Sequence, residues 1–169
     1  MATYIALLRA VNVGGTGKLP MAELRTLAGA AGCTAVRTYI QSGNLVCGWR
    51  GTAAGLKQAL EAALAARMGK PVGVMVRTPD ELAAVVSANP FPEAAPAQLQ
   101  VVFLDRAPAP GALEGWPIPG RERLALRGRE CFVHFPDGMG ASTLKVPFAA
   151  EGTGRNLNTV RALLEMAQG

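Results

Sequence analysis

Histidine, cysteine and aromatic residues are scarce in this chain, and each scarcity closes off a chemistry. The one histidine, His134, cannot by itself supply the clustered ligands of a zinc site. Three cysteines, Cys33, Cys47 and Cys131, are odd in number and widely spaced, and form neither a Cys-x-x-Cys knuckle nor a disulfide framework. No metal site and no cofactor is expected, and the free thiols point to a reducing, cytoplasmic compartment. Long apolar runs are missing too: "KPVGVMVRT" ends after a handful of residues, well short of the roughly 18 that span a bilayer. The opening "TYIALLRAVNVGG" lacks the basic region and cleavage site of a signal peptide, so no export and no membrane partner is expected. With two tyrosines and two tryptophans, the chain also lacks the aromatic density of an RNA-recognition module.

What is present is apolar bulk and uneven charge. Half of the 169 residues are hydrophobic, enough for one domain or two small subdomains. The net charge is +5, yet residues 1–78 hold nine basic side chains and only Glu23 and Glu61 as acids, whereas the remainder is slightly acidic. Such asymmetry can steer an anion or polynucleotide, although no Lys/Arg run occurs and a solvated helix face explains several of these charges equally well.

Periodicity predicts the elements. "TYIALLRAV" is apolar on both faces and reads as a central strand; Pro20 suits a first helical turn, followed by Met21, Leu24, Ala28 and Ala31 on one stripe. Residues 36–40 and 45–47 read as two strands about a turn at Ser42, Gly43 and Asn44, and Leu56, Leu60, Leu64 and Met68 mark a second helix before the strand "PVGVMVRT". Strand, helix, strand, strand, helix, strand is the order of a ferredoxin-like split β-α-β fold. Thr78 should cap a further helix with Asp80 and Glu81 in its first turn. The proline-rich "NPFPEAAPAQ" sets a boundary between subdomains 1–88 and 89–169. The second half repeats the order in part: strand "LQVVFLD", a connection at 107–120, two strands folded about Gly128, and the terminal helix "NLNTVRALLEMAQ". The expected fold class is α+β, a ferredoxin-like first subdomain followed by a second, partly similar or incomplete one.

Three stretches carry candidate chemistry. "RAVNVGGTGKLPM" is no Walker loop, because Asn12 stands where the first glycine belongs and Leu19 where the magnesium-binding hydroxyl belongs. Its glycines either turn the chain or, with Arg9 and Lys18, cradle an anion before the helix. In "TYIQSGN", Arg37, Tyr39 and Gln41 would share one side of a strand and offer a strip for stacking and hydrogen bonding, while Ser42 and Asn44 either hold the turn or touch a ligand. Ser42 lacks a nucleophile elbow, and His134, alternating with Phe132 in "CFVHF", reads first as a half-buried structural residue. In "TGRNLNT", Arg155, Asn156 and Asn158 either clamp an anion or cap the terminal helix.

The stretches "LLRAVNVGG" (7–15), "TYIQSGN" (38–44) and "RNLNTV" (155–160), in this order, resemble the DUF1697 family of uncharacterised, mainly bacterial proteins. Leu157 departs from the family's usual tryptophan. The resemblance implies an α+β protein of ferredoxin-like subdomains and no known reaction. Asn12, Gly14, Gly15, Arg37, Gln41, Ser42, Asn44, Arg155, Asn156 and Asn158 match its polar or glycine motif positions and are the first candidates for a shared pocket.

The best functional expectation is binding of an anionic small molecule or nucleic acid through the basic first subdomain. One alternative is an enzyme acting on an anionic metabolite in a cleft between subdomains, with Arg9 or Arg155 neutralising charge and Ser42 or His134 in proton transfer; another is an assembly or scaffold role. Oligomeric state is not encoded legibly.

Overall fold

A computed structural model describes residues 1–10, 18–40 and 42–169. Among the described residues, the strands form two four-stranded antiparallel sheets with the same strand order, and the chain divides into two compact units. Unit 1 comprises residues 1–82 and 163–169, and unit 2 residues 83–162.

Unit 1 contains β1 (Ala2–Leu8), α1 (Met21–Ala30), β2 (Thr34–Thr38), β3 (Asn44–Trp49), α2 (Ala53–Met68), β4 (Val74–Arg77) and the start of α3 (Pro79–Ser87). Its sheet runs β2-β3-β1-β4. Strand alternation sends Tyr4, Ala6 and Leu8 of β1 to the face covered by α1 and α2, where they meet Leu24, Ala28, Leu56, Leu60 and Leu64. Each of these buried leucines contributes about 1.5–3 kcal/mol of transfer free energy. Helix ends are set locally. Pro20 occupies the N-cap of α1, Thr52 accepts from the Gly55 amide at the start of α2, and Gly69 ends α2 in the left-handed region at φ 72°. Thr78 and Glu81 form a reciprocal capping box, Oγ1 accepting from the Glu81 amide (3.1 Å) and the carboxylate from the Thr78 amide (2.8 Å).

β2 spans 34–38 rather than the expected 36–40. Ile40 adopts φ 46°, which no strand accommodates, so the chain leaves the sheet after Thr38. At the other end Ala35, at φ 47°, makes a bulge against β3 between Thr34 and Arg37.

Unit 2 contains the end of α3, a 3₁₀ turn at Pro96–Gln98, β5 (Leu99–Phe103), β6 (Arg123–Arg127), β7 (Glu130–His134), a 3₁₀ turn at Met139–Ala141, β8 (Thr153–Asn156) and the first turns of α4 (Leu157–Gln168). The sheet order β6-β7-β5-β8 repeats that of unit 1, and α4 follows β8 as α3 follows β4. The two helices that cross between strands in unit 1 have no counterpart here. Their place over the sheet is taken by connection residues: Leu113 and Trp116 from one, Leu144, Val146 and Phe148 from the other, packed on Val102, Leu104, Cys131, Val133 and Phe135. Trp116 ties the connections together by donating its indole N–H to the Lys145 carbonyl (2.8 Å). β8 was not expected from "TGRN", which has little strand propensity; pairing with β5 imposes it.

Candidate functional site

Four of the described candidates of unit 1 lie at one end of its sheet, where backbone bonds tie three segments. The Leu8 amide donates to the Gly43 carbonyl and the Arg9 amide to the Gly73 carbonyl, each at 2.8 Å. Arg9, Tyr39, Ser42 and Asn44 therefore share the ends of β1, β2 and β3, and the half-buried Arg9 leaves β1 directly before Ala10, held at φ 57°. Asn12, Gly14, Gly15 and Gln41, and with them the anion-cradle expectation for the glycine loop, lie outside the described residues.

Asn44 is fully buried, and its Nδ2 donates to the Tyr39 carbonyl (2.8 Å) and to Ser42 Oγ (2.9 Å). Tyr39 in turn donates its amide to the Asn44 carbonyl at 3.1 Å. These side chains close the turn that Gly43, at φ 88°, makes possible. β2 ends at Thr38, so Tyr39 lies beyond the strand that carries Arg37. Arg37 is exposed and donates Nη2 to the Met166 carbonyl (2.6 Å) in the last turn of α4, where a cation complements the helix dipole. Arg25 of α1 donates to Thr38 Oγ1 (2.6 Å), bringing a second arginine to the end of the same edge strand. Lys18 is exposed, three residues before α1 begins.

The acids of residues 1–78 are both committed. Glu23 pairs with Arg67 (2.6 Å), which holds its carboxyl below the usual carboxylate range, and Glu61 pairs with Lys57 (2.7 Å) while accepting the Val74 amide. Lys18, Arg25, Arg37, Arg50 and Lys70 stand exposed with no carboxylate partner among the described residues.

In unit 2, Arg155 is a buried strand residue. Its Nη1 donates to Thr153 Oγ1 (2.6 Å) and the Gly154 carbonyl (2.8 Å), and burial lowers its pKa to about 10, which leaves it charged at neutral pH. Asn156 points to the other face of β8 and caps α4, its Oδ1 accepting the Thr159 amide (2.9 Å). Asn158 is exposed in the first turn, and Leu157 is buried in the packing beneath it. The departure from tryptophan at 157 is thus a core substitution. Unit 1 carries a matching residue that the sequence did not single out. Arg77 of β4, opposite Ile5, is fully buried, as Arg155 of β8 lies opposite Val101. An arginine ending the apolar run "VMVR" was the available signal.

His134 is buried at the centre of a polar knot. Arg123, its cross-strand partner, donates Nε–H to His134 Nδ1 (3.1 Å), approaches it with Nη2 (2.9 Å), pairs with Glu93, and lies 4.3 Å over the Phe91 ring. Burial, then the Arg123 charge, lowers the His134 pKa, so the imidazole is neutral at pH 7. A guanidinium only donates, so Nδ1 is the acceptor and the ring proton resides on Nε2. The strands folded about Gly128 pair Arg123 with His134 by register, a contact legible in principle from the sequence; Phe91 and Glu93 arrive from a distant turn and were not. Cys33 and Cys47, though distant in sequence, meet in the core of unit 1, where the hydrogen bond between their thiols lowers the Cys33 pKa and raises that of Cys47. No group of three or more His, Cys, Asp or Glu residues among the described residues is arranged to hold a metal ion, and no helix among them is long and apolar enough to cross a membrane.

The family model of DUF1697, a protein of unknown function, matches residues 1–132. The chain belongs to the DUF1697 family. A solved structure of a conserved bacterial protein, SP0830 from Streptococcus pneumoniae, matches this DUF1697 chain at 25% sequence identity and a TM-score of 0.81, covering 98% of each chain. The architecture of two similar α+β units is thus shared along essentially the whole length. No curated protein matches the chain.

Proposed function

We propose that the chain binds a phosphate-bearing anionic ligand, with a polynucleotide the leading form, through the basic surface of unit 1. The observation carrying this reading is that both carboxylates of residues 1–78 are consumed in ion pairs, leaving Lys18, Arg25, Arg37, Arg50 and Lys70 exposed without one. Arg25 and Arg37 bracket the end of β2, and Tyr39 beside them supplies a ring. The order β-α-β-β-α-β with its antiparallel sheet supports reading unit 1 as ferredoxin-like, and the odd, unbridged cysteines support a cytoplasmic setting. Binding fits the described groups better than proton transfer does: Ser42 Oγ accepts from Asn44, and the basic nitrogen of His134, Nδ1, is taken up by Arg123.

The test is fluorescence polarisation with labelled single-stranded RNA, single-stranded DNA and duplex DNA at 50 and 200 mM salt, with pyrophosphate as competitor. A single strand neutralised at three phosphates should lose about twentyfold in affinity over that range, because displaced counterions return to it. Arg25→Ala and Arg37→Ala should each weaken every probe alike. Saturation by none of the probes at 50 mM salt overturns the polynucleotide reading, and bound probe that pyrophosphate does not displace overturns the phosphate reading.

A further inference from the structure

Trp49 ends β3 in an unusual setting. Its indole Nε1 is buried without a hydrogen-bond partner, the one buried side-chain nitrogen or oxygen among the described residues in that condition. Tryptophan N–H groups usually find an acceptor when buried, so a ring held this way needs an explanation. The surrounding glycines show that the ring's place is built. A Cβ at Gly51 would stand 2.8 Å from Nε1, and one at Gly32 would stand 3.2 Å from Cζ3; Gly32 also requires its φ of 113°. Both approaches are open only to glycine, and together they fix the indole plane while the half-exposed ring faces outward. That ring lines a cavity of about 400 Å³ with Met1, Ala31, Gly32, Thr34 and Arg50. The volume lies within the range of small-molecule sites. Arg50 is exposed and pairs with no carboxylate of the described residues.

A rigid aromatic plane beside an uncommitted guanidinium is the chemistry that recognises a planar ring joined to an anion. We propose that this cavity is a nucleotide site, the base stacking on Trp49 and the phosphate meeting Arg50. Stacking tolerates any base because every base has a π face, and the guanidinium reads charge alone, so the site discriminates nucleotides from sugar phosphates rather than one base from another. The proposal rests on the anion reading of unit 1 and names the ring chemistry that reading leaves open. The ligand is either a free mononucleotide or one residue of a strand.

The two tryptophans allow a direct test. A Trp116→Phe protein leaves Trp49 as the only indole fluorophore, and its emission is followed while AMP, UMP, ribose 5-phosphate or a ten-nucleotide RNA is added. AMP and UMP should quench saturably and ribose 5-phosphate should not. Calorimetric titration of the Trp49→Leu protein should show binding weakened about tenfold or more, with recovery in Trp49→Phe, and Arg50→Ala should cost about tenfold. Quenching by the RNA at concentrations where AMP has no effect assigns the site to a strand, and the reverse assigns it to free nucleotide. Absence of saturable quenching by AMP, UMP and RNA in a protein with native circular dichroism overturns the inference. If RNA still binds in the polarisation assay with dependence on Arg25 and Arg37 but leaves Trp49 emission unchanged, this site fails while the basic-surface reading stands.

Discussion

Asn44→Ala separates the structural use of the "TYIQSGN" stretch from a ligand-binding one. The asparagine has no exposed surface, and its Nδ2 gives two hydrogen bonds, to the Tyr39 carbonyl and to Ser42 Oγ. Each intramolecular bond contributes about 1 kcal/mol net, and acceptors left without a donor add to the loss. Removing both should destabilise unit 1 by about 2–3 kcal/mol, a melting-temperature decrease of roughly 4–12 °C for a chain of this size. Ser42→Ala, which removes the acceptor of one of these bonds at a half-buried position, should cost about 1 kcal/mol. The assay is urea unfolding of the Trp116→Phe protein followed through Trp49, which reports on the sheet that Asn44 joins. An Asn44→Ala midpoint within error of the parent, accompanied by weaker polynucleotide binding, would refute the reasoning and make the side chain a ligand contact.

His134 is neutral in the fold with its pKa lowered by burial and by Arg123, whereas in the unfolded chain it titrates near 6.5. Unit 2 should therefore hold full stability above about pH 6.5 and lose it as pH falls from there toward the lowered folded value; urea midpoints followed by Trp116 in a Trp49→Phe protein should show this, and His134→Gln should remove it. Cys131 is buried with its pKa pushed up to about 12, and Cys33 and Cys47 are buried in the other core. A thiol reagent at pH 8 should label fewer than one cysteine per native chain within minutes and three in denaturant. Gly152→Ala would place a methyl 2.7 Å from the Phe103 carbonyl oxygen and 2.8 Å from Leu104 Cδ2, and should destabilise unit 2 by about 2–3 kcal/mol in urea unfolding. Thr78→Ala breaks the capping box of α3 at a cost of about 1 kcal/mol in thermal unfolding.

The first unit was legible wherever local pattern and tertiary need agree. The stripe Leu56, Leu60 and Leu64 is buried as helical spacing requires, and Thr78 caps α3 through the hydroxyl that nominated it. Legibility failed where the backbone departs from its residue preferences. Ala35 and Ile40, at φ 47° and 46°, shift β2 and end it before Tyr39, and neither residue type announces the left-handed region. β8 was hidden because glycine and asparagine form a strand only under pairing from β5. At the candidate sites, strand register made the Arg123–His134 contact readable, but the cation over Phe91 and the meeting of Cys33 with Cys47 depend on segments far apart in sequence.

The repeated strand order with helices over one sheet and connections over the other divides evolutionary freedom within a single polypeptide. α1 and α2 must preserve amphipathic registers, so most insertions there would break a stripe that covers the sheet. The connections of unit 2 anchor themselves through a few side chains, Trp116 and Phe148 among them, and the backbone between anchors is free to lengthen or change sequence. Changes of length and sequence are therefore absorbed in the connections over the second sheet, while the stripes of α1 and α2 hold the first sheet's cover in register.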